Sequence, residues 1–323
     1  MPITTNASIA QAKTTLLANR LLKPLAFNNV LSQFFRNDST FATDTGSYTR
    51  GATLSIPIVP VITTNIVTAT GGSVSFPKQT LTNVTLTLDA IASTPFSIND
   101  ADVALANVNP ENDILASAGA QHGNSIEDVL MLNTFNDASI NGNVIGAAAT
   151  ATNYKLLSTL WKAFFDAKVN KLQTKVVVLP SDQYTELLQD PIVARLSNPD
   201  ASTTLSNGVI LSTLNMIILP SHATSVGTAY TNLAALGAVT TEVGFAFTID
   251  SIVGAVRTLP TDGDGLGVQQ TIVRDDSVNL ATRLTVSYNA ATIGGDKNYH
   301  METLFGSKIY RPTTVFPVLG GVS

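Results

Sequence analysis

The chain has 323 residues, of which 13% are charged and 44% apolar, with a formal net charge of −5. With no cysteine, three histidines and one tryptophan, it offers little raw material for thiol, redox or transition-metal chemistry, and its negative charge disfavours nonspecific attraction to a nucleic acid backbone. So few charges on a chain of this size mean that much of its surface is buried or is covered by partners.

The charges are unevenly spread. Residues 1–50 hold Lys13, Arg20, Lys23, Arg36 and Arg50 against Asp38 and Asp44, a mildly basic arm ahead of an acidic body. Five cations over fifty residues read as solvated positions on amphipathic helices rather than as a binding cluster. The opening "MPITTNASIAQ" lacks the charged and then apolar regions of a secretory signal. No apolar run of about 18 residues occurs, so a membrane span is not expected and the chain reads as a soluble product of the cytosol.

Ala7 to Leu22 has a helical pattern that Pro24 ends or restarts. Phe27, Val30, Leu31, Phe34 and Phe35 come next at the spacing of one apolar helix face, and that face must dock on something. Asn37 to Gly46 is polar and turn-forming, a joint between the arm and the apolar segment beyond it.

"GATLSIPIVPVITTNIVTATGGSVSFPKQTLTNVTLTL", Gly51 to Leu88, contains a single charged side chain, Lys78. Leu54, Ile56 and Ile58 alternate with Ser55, Pro57 and Val59, and Val84, Leu86 and Leu88 alternate with Thr85 and Thr87, which predicts two strands around a Gly71-Gly72 tip. Fully extended arms of about 17 residues would project roughly 55 Å. A lone hairpin of that reach is marginal in water, and its bare edges would recruit other chains, so it must rest on a neighbour. Lys78 reads most simply as a charge that keeps the ribbon soluble.

After Pro95 the period changes from two to that of a helix. Ser97 and Asp100 suggest a capping box, and Asn109-Pro110-Glu111 starts a second helix of roughly 25 residues running to Phe135. Gly119 and Gly123 within it predict a bend or a close crossing. Residues 136–153 read as a loop or loose hairpin, and Tyr154 to Lys171 as a helix whose Leu156, Leu160 and Phe164 line, and Leu157, Trp161 and Phe165 line, are both core. "TKVVVLP" predicts a buried strand, Ser181 the N-cap of the helix "DQYTELLQD", and "GVILSTLNMIILP", "NLAALGAV", "VGFAFTID", "TIVRDDSV" and "ATRLTVSYNA" a run of short strands with one small helix. The mixture is α+β.

Candidate chemistry is thin. Asp262 and Asp264 sit among glycines in "TDGDGLGVQ" without the further oxygen ligands and closing glutamate of a calcium loop, so a surface turn is the simpler reading. Gly263, Gly265 and Gly267 do not make the dinucleotide fingerprint. His122, His222 and His300 fall in three separate segments with no nucleophile motif near any of them, and are expected to be structural or surface residues. Asp275-Asp276 beside Arg274 reads as a solvated strand end. No catalytic, metal or cofactor site is expected.

The order of arm, joint, apolar hairpin, long helix and α+β body resembles the major capsid proteins of tailed bacteriophages, which have the Hong Kong 97-type shell fold. "GATLSIPIVP" resembles that family's entry into its extended loop, and "NSIEDVLMLNTF" the end of its spine helix. "TKVVVLPSDQYTELLQDP" is similar to the opening of its axial domain, and "ETLFGSKIYRPTTVFPV" to its closing strand. The resemblance implies an amino-terminal arm over 1–47, an extended β-hairpin loop over 48–96, a peripheral domain with the spine helix over 97–174, an axial domain over 175–290 and a return to the peripheral domain over 291–323.

It further implies a non-enzymatic virion protein, assembled in the host cytoplasm into hexamers and pentamers of an icosahedral shell around double-stranded DNA that it contacts without sequence specificity. Intersubunit contacts are expected at Phe27, Leu31 and Phe34 of the arm and at Ile56, Ile58, Val84 and Leu86 of the hairpin. A covalent intersubunit role for Lys78 is the less favoured reading, and Gly263 and Gly265 are expected in a loop near the capsomer axis. No charged helical leader precedes the arm, which implies no internal scaffolding segment and leaves room for separate portal, scaffolding or decoration proteins. The rival readings are a fibre or adhesin, which would be an elongated trimer, and an unrecognised hydrolase, which would need a pocket with a perturbed carboxylate or histidine.

Overall fold

A computed structural model of the chain describes residues 31–37, 53–58, 78, 80–105, 111–147, 151–193, 215–220, 243–257, 259, 268–275, 280–289 and 295–320. Within them lie thirteen strands and four α-helices. The sheets are organised around β12 (Asp296–Ile309), whose inward residues Tyr299, Met301, Thr303 and Phe305 recur at period two as a half-buried strand requires.

Along one side, β12 pairs antiparallel with β4 (Ala90–Asn99), from Asp296↔Asn99 to Phe305↔Ala90. On its other side it pairs first with β11 (Leu280–Asn289) and then with β9 (Ile252–Arg257). The outer neighbours are β10 (Val268–Asp275), antiparallel to β11, and the two-residue β1 (Arg36–Asn37), parallel to β9.

A second sheet has the order β5 (Ile145–Gly146), β13 (Val315–Leu319), β8 (Val243–Thr248), β6 (Lys175–Leu179), β7 (Met216–Pro220). Every residue of β6, β8 and β13 is buried. Their sequences read as continuous apolar runs because both faces are covered. One face, with Val177, Leu179, Ala246, Phe316 and Val318, packs on α3 (Tyr154–Asp166) and α4 (Ser181–Gln189) through Leu156, Leu157, Leu160, Phe164, Tyr184 and Leu187. The opposite face, with Val176, Val178, Phe245 and Phe247, joins a core shared with β12 and with α2 (Glu111–Phe135). Only α1 (Asp100–Leu105) buries no residue.

The long helix is present over the predicted span, and Gly119 and Gly123 are buried in its interior, in keeping with a close crossing of the sheet. Four local expectations are corrected. Ser97 caps nothing: β4 continues to Asn99, whose side chain accepts from Ala101 N at 2.9 Å as α1 begins. The helix from Tyr154 stops at Asp166, because Lys168 adopts φ 58° and the N–H groups of Lys168 and Val169 close back on the carbonyls of Phe165 and Phe164. Pro180 is the N-cap of α4 and Ser181 its first residue, since the Pro180 carbonyl accepts from Tyr184 N at 2.9 Å. The supposed loop after Phe135 contains a 3₁₀ turn, Ala138–Asn143, and β5.

Of the amphipathic arm, the described part is a 3₁₀ turn, Leu31–Phe34, leading into β1 rather than an α-helix. Phe35 turns inward and meets Phe247 edge-on at 5.9 Å between ring centroids. Sheet pairing and helix packing both cross positions 174 and 290. Helix α3 packs on the sheet of β6, and β9, β10 and β11 are hydrogen-bonded into the sheet of β4 and β12.

Candidate assembly interface

The base of the predicted hairpin is formed. β2 (Thr53–Ile58) pairs antiparallel with β3 (Thr82–Thr87) from Thr53↔Thr87 to Ile58↔Thr82, and β3 leads within three residues into β4. The inward residues Ile56, Leu86 and Leu88 close a cluster with Val253, Ala255 and Tyr310. The Tyr310 hydroxyl donates to the Pro57 carbonyl at 2.9 Å, so the proline that lacks an N–H still ties its strand to the body through its C=O. The guanidinium carbons of Arg36 and Arg311 lie 5.3 and 5.6 Å from the Tyr310 ring centroid. Gly306 of β12 passes so close to the hairpin that a Cβ there would lie 2.1 Å from the Thr87 carbonyl oxygen.

Burial then falls with distance from this anchor. Leu86 is fully buried, Val84 and Ile58 are half-buried, and Thr82, next along the same face of β3, is exposed. The side chains of Ile56 and Leu86 are taken up inside their own chain, by β9 and Tyr310. Ile58 and Val84 keep part of their apolar surface free, and Lys78 is exposed. Phe34 packs partly on the chain's own core, and Leu31 opens the 3₁₀ turn. The glycine tip, Phe27, Gly263, Gly265, Asp262, Asp264 and His222 lie outside the described residues.

The interior polar groups are structural in their surroundings. His122 is fully buried on α2, with Nδ1 2.9 Å from Thr94 Oγ1 and Nε2 2.9 Å from Thr303 Oγ1, which in turn lies 2.8 Å from Thr282 Oγ1. Burial, assisted by the nearby charge of His300, lowers its pKa to about 4, so the imidazole is neutral at neutral pH. Tyr299 donates to Glu111, and burial followed by that carboxylate pushes the phenol well above its ordinary value. Burial raises Asp137, but hydrogen bonds from Ser139 and Lys308 outweigh it and hold the carboxyl below the usual range. His300 is on the solvent side of β12, 2.8 Å from Ser93 Oγ. Among the described residues no three His, Asp or Glu side chains are grouped to hold a metal ion, and no helix is long and apolar enough to cross a membrane.

One surface departs from expectation. Trp161 and Phe165 are on the outer side of α3, 39% and 53% exposed, with rings stacked at 5.7 Å and 11°. The helix packs mainly through Leu156, Leu157, Leu160 and Phe164, with Tyr154 and Ala163 partly buried beside them. The i, i+4 spacing in the sequence shows that Trp161 and Phe165 share a line; it does not say on which side the sheet will lie.

Neither a protein-family model nor a curated protein sequence matches the chain. Solved structures do. A structure from Mycobacterium phage Che8 aligns at 18% identity over 90% of each chain with a TM-score of 0.58. The capsid structure of cyanophage P-SCSP1u aligns at 14% identity over 91% of this chain and 89% of that one, TM-score 0.56. A virus-like particle from Pyrococcus furiosus aligns at 11% identity over 94% and 98%, TM-score 0.52. The chain has the Hong Kong 97-like capsid fold. Within that fold, the capsid-like architecture is carried by sheet order and helix placement, since so few side chains coincide at these identities.

Proposed function

We propose that this chain is a structural shell subunit: a major capsid protein that self-assembles into hexamers and pentamers of an icosahedral phage head enclosing double-stranded DNA, in the virion and without catalytic activity. The observation that carries the reading is the likeness to a phage capsid structure over about nine-tenths of both chains. A hairpin anchored at its base supports it. The inward face of that hairpin is fully buried at Leu86 and only half-buried at Val84 and at Ile58 of the paired strand, which leaves apolar surface there for another copy to cover. Ile58 and Val84 are its contact residues near the body, with Phe27, Leu31 and Phe34 assigned to the arm and Gly263 and Gly265 to an axial loop. Lys78 is a solubilising charge. Separate portal, scaffolding or decoration proteins complete the particle, and assembly takes place in the host cytoplasm.

Electron microscopy of the purified full chain tests this: closed shells or rings of five and six support it, and a persistent monomer or an elongated trimer overturns it. The Pyrococcus likeness favours a second reading, a protein particle that does not enclose a phage genome. Nuclease-protected double-stranded DNA in particles taken from an infected host separates the two.

A further inference from the structure

The last turn of α3 and the chain after it present an unusual surface for so sparsely charged a protein. Trp161 and Phe165 are stacked and exposed, and Leu172 beyond them is 88% exposed. Lys162, Lys168 and Lys171 are exposed over the same stretch, against one exposed carboxylate, Asp166. At the other end of the same helix the signs reverse. Asp182 and Glu186 stand one turn apart on α4, and Asp190 follows as the residue that ends the helix. That ridge is fixed at the amino end of α3: Glu186 Oε2 accepts from Thr152 N at 2.8 Å and Asp190 Oδ2 from Tyr154 N at 2.7 Å. Beside it Ile192 is 51% exposed. Among the described residues there, the three carboxylates stand against the single ammonium of Lys155 on the first turn of α3.

We propose that the basic aromatic end of α3 docks on the acidic α4 ridge of the next copy of this chain, as a head-to-tail joint around a capsomer axis. The inference rests on the shell-subunit reading and names a surface that reading leaves open. The ridge is held at Tyr154 and the basic patch begins at Lys162, about 12 Å further along the helix, too far for ion pairs between the two within one chain. A two-fold dimer through either patch would oppose like charges. A heterologous contact, in which one copy's patch meets the next copy's ridge, pairs unlike charges at every joint and closes when the rotation does. The two exposed ring surfaces amount to roughly 200 Å², well below the ~800 Å² per partner of a stable pair, so this is one joint among several that a closed ring multiplies.

Trp161 is the sole tryptophan, so its fluorescence reports the joint directly. In the full chain its emission should shift to the blue on assembly and return on dissociation. Reversing the basic end (Lys162→Glu with Lys168→Glu) or the ridge (Asp182→Lys with Gln189→Lys, both exposed positions) should each raise the concentration needed for assembly by about tenfold. An equimolar mixture should assemble again, because the reversed patch of one variant meets the reversed ridge of the other, and it should yield rings of even number, hexamers without pentamers. Assembly of wild type with unshifted Trp161 emission, or a mixture no better than either variant alone, overturns the joint while leaving the shell reading standing. A wild-type chain that never assembles overturns the shell reading itself. An emission shift produced by a single-stranded oligonucleotide and not by assembly overturns the joint in favour of nucleic acid at this face.

Discussion

Acid should destabilise the fold through His122, with a size the structure sets. Its imidazole has no exposed surface, and both ring nitrogens are held at 2.9 Å by threonine hydroxyls between α2, β4 and β12. The folded pKa is about 4 against 6.5 for the free side chain. Above pH ~6.5 the residue is neutral in both states and contributes no pH dependence. As pH falls from there toward 4 the unfolded chain takes up a proton that the folded chain refuses, so stability declines through that window and levels off below it. The gap of about two and a half pH units corresponds to roughly 3 kcal/mol, a large share of the 5–15 kcal/mol typical of a domain. Guanidinium unfolding of the unassembled chain, followed by circular dichroism between about pH 7.5 and 4.5, measures it. His122→Gln keeps a hydrogen-bonding side chain but cannot titrate; it should start lower in stability and then show a much flatter profile across the window. Parallel profiles for the two proteins would refute the assignment.

Leu86→Ala, at a site with no exposed surface between the hairpin and Tyr310, should cost about 2–5 kcal/mol in the same unfolding assay, which an intersubunit-only contact would not. Gly306→Ala should loosen the hairpin from β12, because the new Cβ would fall 2.1 Å from the Thr87 carbonyl oxygen; faster hydrogen exchange through β3 is the readout. Tyr310→Phe removes the bond to the Pro57 carbonyl and should cost about 1 kcal/mol, with proteolysis of the hairpin base accelerated. Deleting Val61–Thr80 should leave a folded chain that forms no shells by electron microscopy, and unchanged assembly would count against the hairpin's role.

The elements with a single dominant local signal were readable from the residues. The 25-residue helix after Asn109-Pro110-Glu111, the continuous apolar run Lys175–Leu179 and the alternating arms around Ile56 and Leu86 each have one period and one set of boundaries, and local sterics with binary patterning settle them. The resemblance of "GATLSIPIVP" and the later phrases to phage shells was legible for the same reason, since it tracked the order of such elements.

Tertiary structure decided which neighbour each apolar face meets. Whether Leu86 is covered by a sister chain or by Tyr310, more than two hundred residues later, depends on a contact no local pattern encodes. Whether Trp161 is core or surface depends on the side from which the β6 sheet approaches α3. The sequence by itself carries periodicity, which specifies that a face is apolar; only the packed chain supplies the partner, because burial is a property of two surfaces and the second is placed by distant residues.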